Sequence, residues 1–92
     1  MRSESRITIQ NRLGLHARPA TRFAYMASGF KSRIWLIKNG EAVDGKSILE
    51  VLSLACPKGS VLSVMAEGPD AEQAIQALTA LVVSGFGEMD ER

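Results

Sequence analysis

Arg33-Ile34-Trp35-Leu36-Ile37-Lys38-Asn39-Gly40-Glu41-Ala42-Val43-Asp44 is the stretch that decides the fold. Residues 33–38 read as a strand, with Ile34 and Leu36 on one face and Trp35 and Ile37 on the other. Asn39-Gly40 is a strong two-residue hairpin signal, because Asn and Gly tolerate the positive φ that such turns require. Residues 41–44 should therefore return antiparallel as a short strand. Upstream, Arg6-Ile7-Thr8-Ile9-Gln10 alternates polar and apolar, the pattern of a half-buried strand. Asn11 to Leu15 follow as a loop containing Gly14. From Pro19 the spacing changes, and Ala20, Phe23, Ala24 and Ala27 recur as on one side of a helix. Proline is tolerated only in the first helical turn, so this helix begins between His16 and Arg18. Ser28-Gly29 is read as its stop, with Gly29 free to adopt the left-handed conformation.

Downstream, Ser47-x-x-Glu50 matches a capping box and opens a short helix through Leu54, which Pro57 and Gly59 close. Residues 61–67 alternate again, placing Leu62, Val64 and Ala66 on one face. Gly68-Pro69-Asp70 forms a turn, with Asp70 and Gln73 as a second capping pair. The last helix carries Ala71, Ala74, Ile75, Leu78, Leu81 and Val82 at helical spacing and ends at Gly85 and Gly87. Residues 88–92 read as a frayed tail. The order β-α-β-β-α-β-α predicts an α+β fold, with helices on one face of a mainly antiparallel sheet. The inward set is Ile7, Ile9, Phe23, Ala24, Ile34, Leu36, Val51, Leu62, Val64, Ile75, Leu78 and Val82. Trp35, Ile37 and Met65 fall on the open sheet face, exposed or sharing a small apolar patch.

The 92 residues suffice for one domain and not two. Lys and Arg total 11 against 10 Asp and Glu, a balance without the basic excess of a nucleic-acid binder. The single cysteine, Cys56, excludes an internal disulfide and a multi-cysteine metal site, and is expected to be a small packed residue. No apolar run approaches a membrane span, and the polar residues 1–6 lack the core of a signal peptide, so a cytoplasmic location is expected. No metal or organic cofactor is suggested. Lys46 and Lys58 read as solvated surface. Imidazole chemistry can occur only at the one histidine, His16.

Gly14-Leu15-His16-Ala17-Arg18-Pro19-Ala20 places that histidine in a loop just before a helix start. A helix N-terminus presents amides without intrahelical partners and a partial positive charge, which suits an anion. The same field disfavours positive charge on the ring and favours negative charge attached to it. Arg18 can pair with phosphate oxygens. The combination suits a transient phosphohistidine, although a histidine beside a helix start is commonly only a cap or a surface residue.

Residues 14–21, Gly-Leu-His-Ala-Arg-Pro-Ala-Thr, closely resemble the active-site motif of the HPr family, the histidine-containing phosphocarriers of the bacterial phosphoenolpyruvate-dependent phosphotransferase system. The likeness continues through Gly45-Lys46-Ser47-Ile48-Leu49, Lys58-Gly59-Ser60 and Ala66-Glu67-Gly68-Pro69-Asp70-Ala71, and spans roughly residues 5–88 of a single domain, 1–92. It implies an open-faced β-sandwich of four strands under three helices, without metal or bound cofactor. It implies that His16 takes a phosphoryl group on Nδ1 from phospho-Enzyme I and passes it to sugar-specific EIIA components. Arg18 would steady the phosphate, and the protein would be a carrier rather than an enzyme. Stabilisation by a helix terminus, about 0.3–1 kcal/mol, is weak enough to let the group go again.

Ser47 has a helix-capping role on its own spacing, worth about 1 kcal/mol. The resemblance adds regulatory phosphorylation by an HPr kinase/phosphorylase. A phosphate is welcome at a helix N-terminus, whereas Glu50 would repel it. If Val51 and Leu54 face the core, Ile48, Leu49 and Leu52 must be partly exposed, which suggests a protein-docking surface. The resemblance agrees, and sets Ala17, Thr21 and Arg22 beside it; the plainer alternative is that loop residues cover these side chains. A monomer is expected. Competing readings are a nitrogen-branch (NPr-type) regulatory carrier, a small ligand- or RNA-binding module without phosphotransfer, and a protein that only modulates others. Gly45-Lys46-Ser47 favours the sugar branch, while Ser84-Gly85-Phe86-Gly87 is compatible with the nitrogen branch.

Overall fold

In the computed structural model, which describes residues 1–87, the Asn39-Gly40 pair makes the expected reversal, with φ of 52° and 84°. The strands it joins are Arg33–Lys38 and Glu41–Asp44, paired antiparallel with Lys38 opposite Glu41 and Trp35 opposite Asp44. In chain order the elements are β1 (Arg2–Thr8), α1 (Ala17–Ser28), β2 (Arg33–Lys38), β3 (Glu41–Asp44), α2 (Ile48–Ser53), β4 (Val61–Glu67) and α3 (Ala71–Val83), followed by a 3-10 turn at Gly85–Gly87. The sheet order is β1-β4-β2-β3, and all three pairings are antiparallel. This is the open-faced β-sandwich expected: α3 packs on β1 and β4, α2 on β3, and α1 on α2 and α3.

Period-2 alternation decides which sheet residues meet the helices. Ile7, Ile34, Leu36, Leu62, Val64 and Ala66 are buried, and the whole expected inward set is buried with them. Leu15, Val43, Leu54, Cys56 and Phe86 join the same core. Trp35, Ile37 and Met65 are half-buried on the other face. Trp35 lies across from Met65, and the Arg33 guanidinium sits 5.2 Å from the Trp35 ring centroid. The cation therefore covers part of the apolar patch.

Several boundaries differ from the sequence reading. β1 occupies residues 2–8 rather than 6–10. Its inward positions Ser3 and Ser5 are only half-buried, so the strand has no apolar alternation there, yet it pairs with β4 from Arg2↔Glu67 to Thr8↔Val61. Ile9 lies beyond the strand but stays buried. Gly29 has φ −76° and ψ −9°, not a left-handed cap; its amide closes the helix by donating to Met26. α2 ends at Ser53.

Asp70 makes no side-chain cap on α3. Its carboxylate instead accepts from the Ser32 hydroxyl at 2.6 Å, the Ser32 amide at 2.9 Å and the Lys31 amide at 2.8 Å. These bonds hold the Asp70 carboxyl at about 2, below 3.8, the Ser32 hydroxyl contributing most. They clamp the α1–β2 turn to the β4–α3 turn. Lys46 is also no freely solvated charge: half-buried, it donates from Nζ to the Phe30 carbonyl at 2.8 Å. Residues 88–92, read as a tail, lie outside the described residues.

Candidate functional site

The loop before α1 is tied down at three places. Ile9 donates to the Ser60 carbonyl at 2.9 Å and accepts from the Gly59 amide at 2.8 Å. Asn11, fully buried, donates from Nδ2 to the Gly14 carbonyl at 2.6 Å, while the Gly14 amide returns to the Asn11 carbonyl at 3.1 Å. The Leu15 amide then donates to the Cys56 carbonyl at 2.8 Å. Gly14 has φ 72°, and a Cβ placed there would stand 2.4 Å from the Cys56 oxygen. Only glycine lets the two segments approach this closely.

His16 follows directly as the N-cap of α1, in extended conformation with φ −85° and ψ −167°. Its carbonyl accepts the first helical bond from Ala20 at 3.0 Å, and its amide donates to Gly14 at 3.0 Å. Its side chain makes no capping bond to the helix. The ring is half-buried and borders a shallow, mostly apolar depression with Leu13, Leu15, Leu52, Ala55, Cys56 and Pro57. The first turn of α1 contains no acidic residue, and Pro19, its third residue, is buried. The partial positive charge of the helix end thus faces the histidine side unopposed by a first-turn carboxylate. Arg18 is exposed on that turn. A half-open imidazole, the amides of a helix's first turn and a guanidinium together can accept and stabilise a phosphoryl group.

Arg22 lies one helical turn beyond Arg18, but its guanidinium donates to the Phe86 carbonyl, tying α1 to the chain's 3-10 turn. Ala17 and Thr21 are exposed, and the Thr21 hydroxyl donates to the Ala17 carbonyl at 2.7 Å. On α2, Val51 and Leu54 are buried, whereas Ile48 is 42% exposed, Leu49 80% exposed and Leu52 half-buried. Among the described residues no loop covers Leu49. The structure therefore brings the apolar face of α2 to the border of the His16 depression, with Leu52 shared between them.

Ser47 is half-buried and caps α2, accepting from the Glu50 amide at 3.2 Å. The reciprocal half of the capping box is absent: Glu50 accepts from the Asp44 amide at 3.0 Å, and the Ser47 amide goes to the Asp44 carbonyl. Cys56 is buried beneath the His16 loop, and burial pushes its thiol pKa up while Lys38 opposes the rise. Sequence reasoning missed Asn11, whose only signal was its Asn-x-x-Gly spacing, and Lys38. Among the described residues no cluster of His, Cys, Asp and Glu could hold a metal ion. No described helix is long and apolar enough to cross a membrane.

The family model for the phosphotransferase-system HPr component phosphorylation site matches residues 3–84. The chain belongs to the HPr family. Phosphocarrier protein HPr of Neisseria meningitidis is 46% identical over 82 residues, covering 89% of this chain and 92% of that one. Phosphocarrier protein NPr of Shewanella violacea is 38% identical over 85 residues, covering 92% and 93%. Among solved structures, HPr-C-His from Thermoanaerobacter tengcongensis superposes with a TM-score of 0.90 at 48% identity, covering 94% of this chain and 97% of that one. HPr-family proteins are phosphocarriers of the phosphotransferase system, carrying a phosphohistidine rather than catalysing a reaction of their own. Membership favours that reading over the small ligand- or RNA-binding module.

Proposed function

We propose that His16 accepts a phosphoryl group from phospho-Enzyme I and delivers it to sugar-specific EIIA components. The observation that carries this reading is the half-open His16 ring at the N-cap of α1, on a loop fastened to Cys56 and bordered by exposed apolar side chains. The His16 Nδ1 lone pair attacks phosphorus. A new N–P bond forms, the bond from phosphorus to the donor breaks, and its electron pair returns to the donor. The reverse sequence hands the group to the acceptor. Amides of the first turn and Arg18 stabilise the phosphate oxygens without enclosing them, so transfer stays reversible.

Ala17, Thr21, Ile48, Leu49 and Leu52 form the docking surface; Arg22 contributes by bracing α1. On this reading the carrier acts as a cytoplasmic monomer. The test is labelling with phosphoenolpyruvate and Enzyme I. Wild-type protein should acquire one acid-labile phosphoryl group and His16→Ala none; undiminished labelling of the variant defeats the assignment.

The sugar branch is favoured by Gly45-Lys46-Ser47, and the NPr relative supports the nitrogen branch as the second reading. Comparing initial rates with the two corresponding Enzymes I separates them. Regulation at Ser47 by an HPr kinase/phosphorylase is compatible with a half-buried hydroxyl at a helix N-terminus, where phosphate is favoured. Incubation with the kinase and ATP, followed by mass spectrometry, should show phosphoserine 47; an unmodified serine removes the idea.

A further inference from the structure

Lys38, the last residue of β2, reaches across to the far end of α2. Its Nζ donates to the Ala55 carbonyl at 2.9 Å and to the Leu54 carbonyl at 3.3 Å. The last carbonyls of a helix carry partial negative charge, and a basic residue of the helix itself often meets them. α2 has no basic residue in its last turn. Lys38 fills that role from a different element. The turn it meets is strained, because Ala55 has φ 52°, a conformation rarely taken by a residue with a side chain. The next carbonyl along the chain, that of Cys56, is the one that receives the Leu15 amide, immediately before His16. An unbroken path of backbone and hydrogen bonds thus runs from the ammonium, through Ala55, Cys56 and Leu15, to the histidine.

We propose that Lys38 is a positioning residue for His16, its ammonium pinning the carbonyl end of α2 so that the Cys56 carbonyl meets the Leu15 amide and fixes the imidazole at the start of α1. The effect on transfer rests on the reading of His16 as phosphoryl acceptor; the effect on the loop does not. The Lys38 ammonium donates to the Leu54 and Ala55 carbonyls. It acts by holding a turn that would otherwise relax away from the loop. Fixing a long side chain costs rotamer entropy, which the charge-assisted bonds offset. Methionine at this position keeps the stem and loses the donors. Arginine keeps both charge and donors.

The experiment compares wild type, Lys38→Met and Lys38→Arg in three readouts. These are phosphoryl acceptance from phospho-Enzyme I, hydrogen exchange at each amide, and the His16 ring resonances of the unphosphorylated protein. Lys38→Met should lower kcat about fivefold with KM within about twofold, since the apolar docking face is untouched. Exchange at the Leu15 amide should rise about tenfold while β1 and α3 amides keep wild-type protection. The His16 ring signals should shift, and Lys38→Arg should restore all three. Unchanged Leu15 exchange and ring signals in Lys38→Met overturn the proposal. So does a uniform rise at all amides, or a loss that arginine does not rescue. If wild type itself accepts no phosphoryl group, the His16 reading fails, and Leu15 exchange with the ring signals still decides the placement of Lys38.

Discussion

Gly14→Ala separates local conformational cost from the close approach that locates the histidine. Alanine at φ 72° sits in the left-handed region, which costs about 1–2 kcal/mol by itself. The added Cβ would stand 2.4 Å from the Cys56 oxygen and 2.8 Å from Pro57 Cα, where ordinary contact begins at 3.4 Å. The two segments must therefore part by about 1.0 Å at the carbonyl. Such a shift breaks the Leu15–Cys56 bond, worth about 1 kcal/mol. The total loss is about 2–3 kcal/mol, a large share of the 5–15 kcal/mol typical of a domain. Gly40→Ala supplies the control. Gly40 has φ 84° with nothing within 4 Å of a built Cβ, so only the conformational cost of about 1–2 kcal/mol applies. Urea unfolding of the two variants at neutral pH measures the difference. Gly14→Ala should be the weaker protein by at least about 1 kcal/mol and should also accept phosphoryl groups more slowly, because His16 moves with the loop. Equal stability of the two variants would refute the claim that backbone contact with Cys56 sets the position of His16.

The Asp70 clamp makes stability fall in acid. The carboxyl is held at about 2 in the folded protein against 3.8 unfolded, so its contribution is present above pH 3.8 and lost as pH drops towards 2. Asp70→Asn should be less stable at neutral pH and should flatten the pH dependence of the urea midpoint between pH 4 and 2; an unaltered slope counts against the clamp. Leu49→Glu places a charge on a side chain 80% exposed, so folding should be unchanged while affinity for Enzyme I drops about tenfold by titration calorimetry. Undisturbed affinity would move the docking surface elsewhere. Leu78→Ala, by contrast, empties a fully buried position on the inner face of α3 and should cost about 2–5 kcal/mol in the same unfolding assay; a loss under about 1 kcal/mol would contradict the burial.

The features legible in the sequence are those set by neighbours along the chain. The hairpin at Asn39-Gly40, the start of α1 dictated by Pro19, and the alternation of β2 and β4 all follow from local rules. The histidine at the helix start was equally visible, since loop, proline and apolar spacing lie within a dozen residues. What stayed hidden depends on partners far away in sequence. The first half of β1 has serines at its inward positions, so only its pairing with β4 reveals it as a strand. Asp70 looked like a helix cap because Ser32 lies 38 residues away. Arg22 was placed only beside the docking surface because Phe86 is 64 residues off. Phe86 itself is buried at φ 58° between two glycines, a setting in which no hydrophobic periodicity marks it as core.

The shallowness of the depression around His16 bears on how long a phosphorylated carrier can last. No wall of the described protein shuts the ring away from bulk water. Free in solution, the charged form then survives only as long as the nitrogen–phosphorus linkage resists hydrolysis by its own chemistry. If partners seat on the apolar rim as proposed, protection from water arrives with each of them, so the dry environment that speeds transfer would belong to the encounter and last no longer than it does.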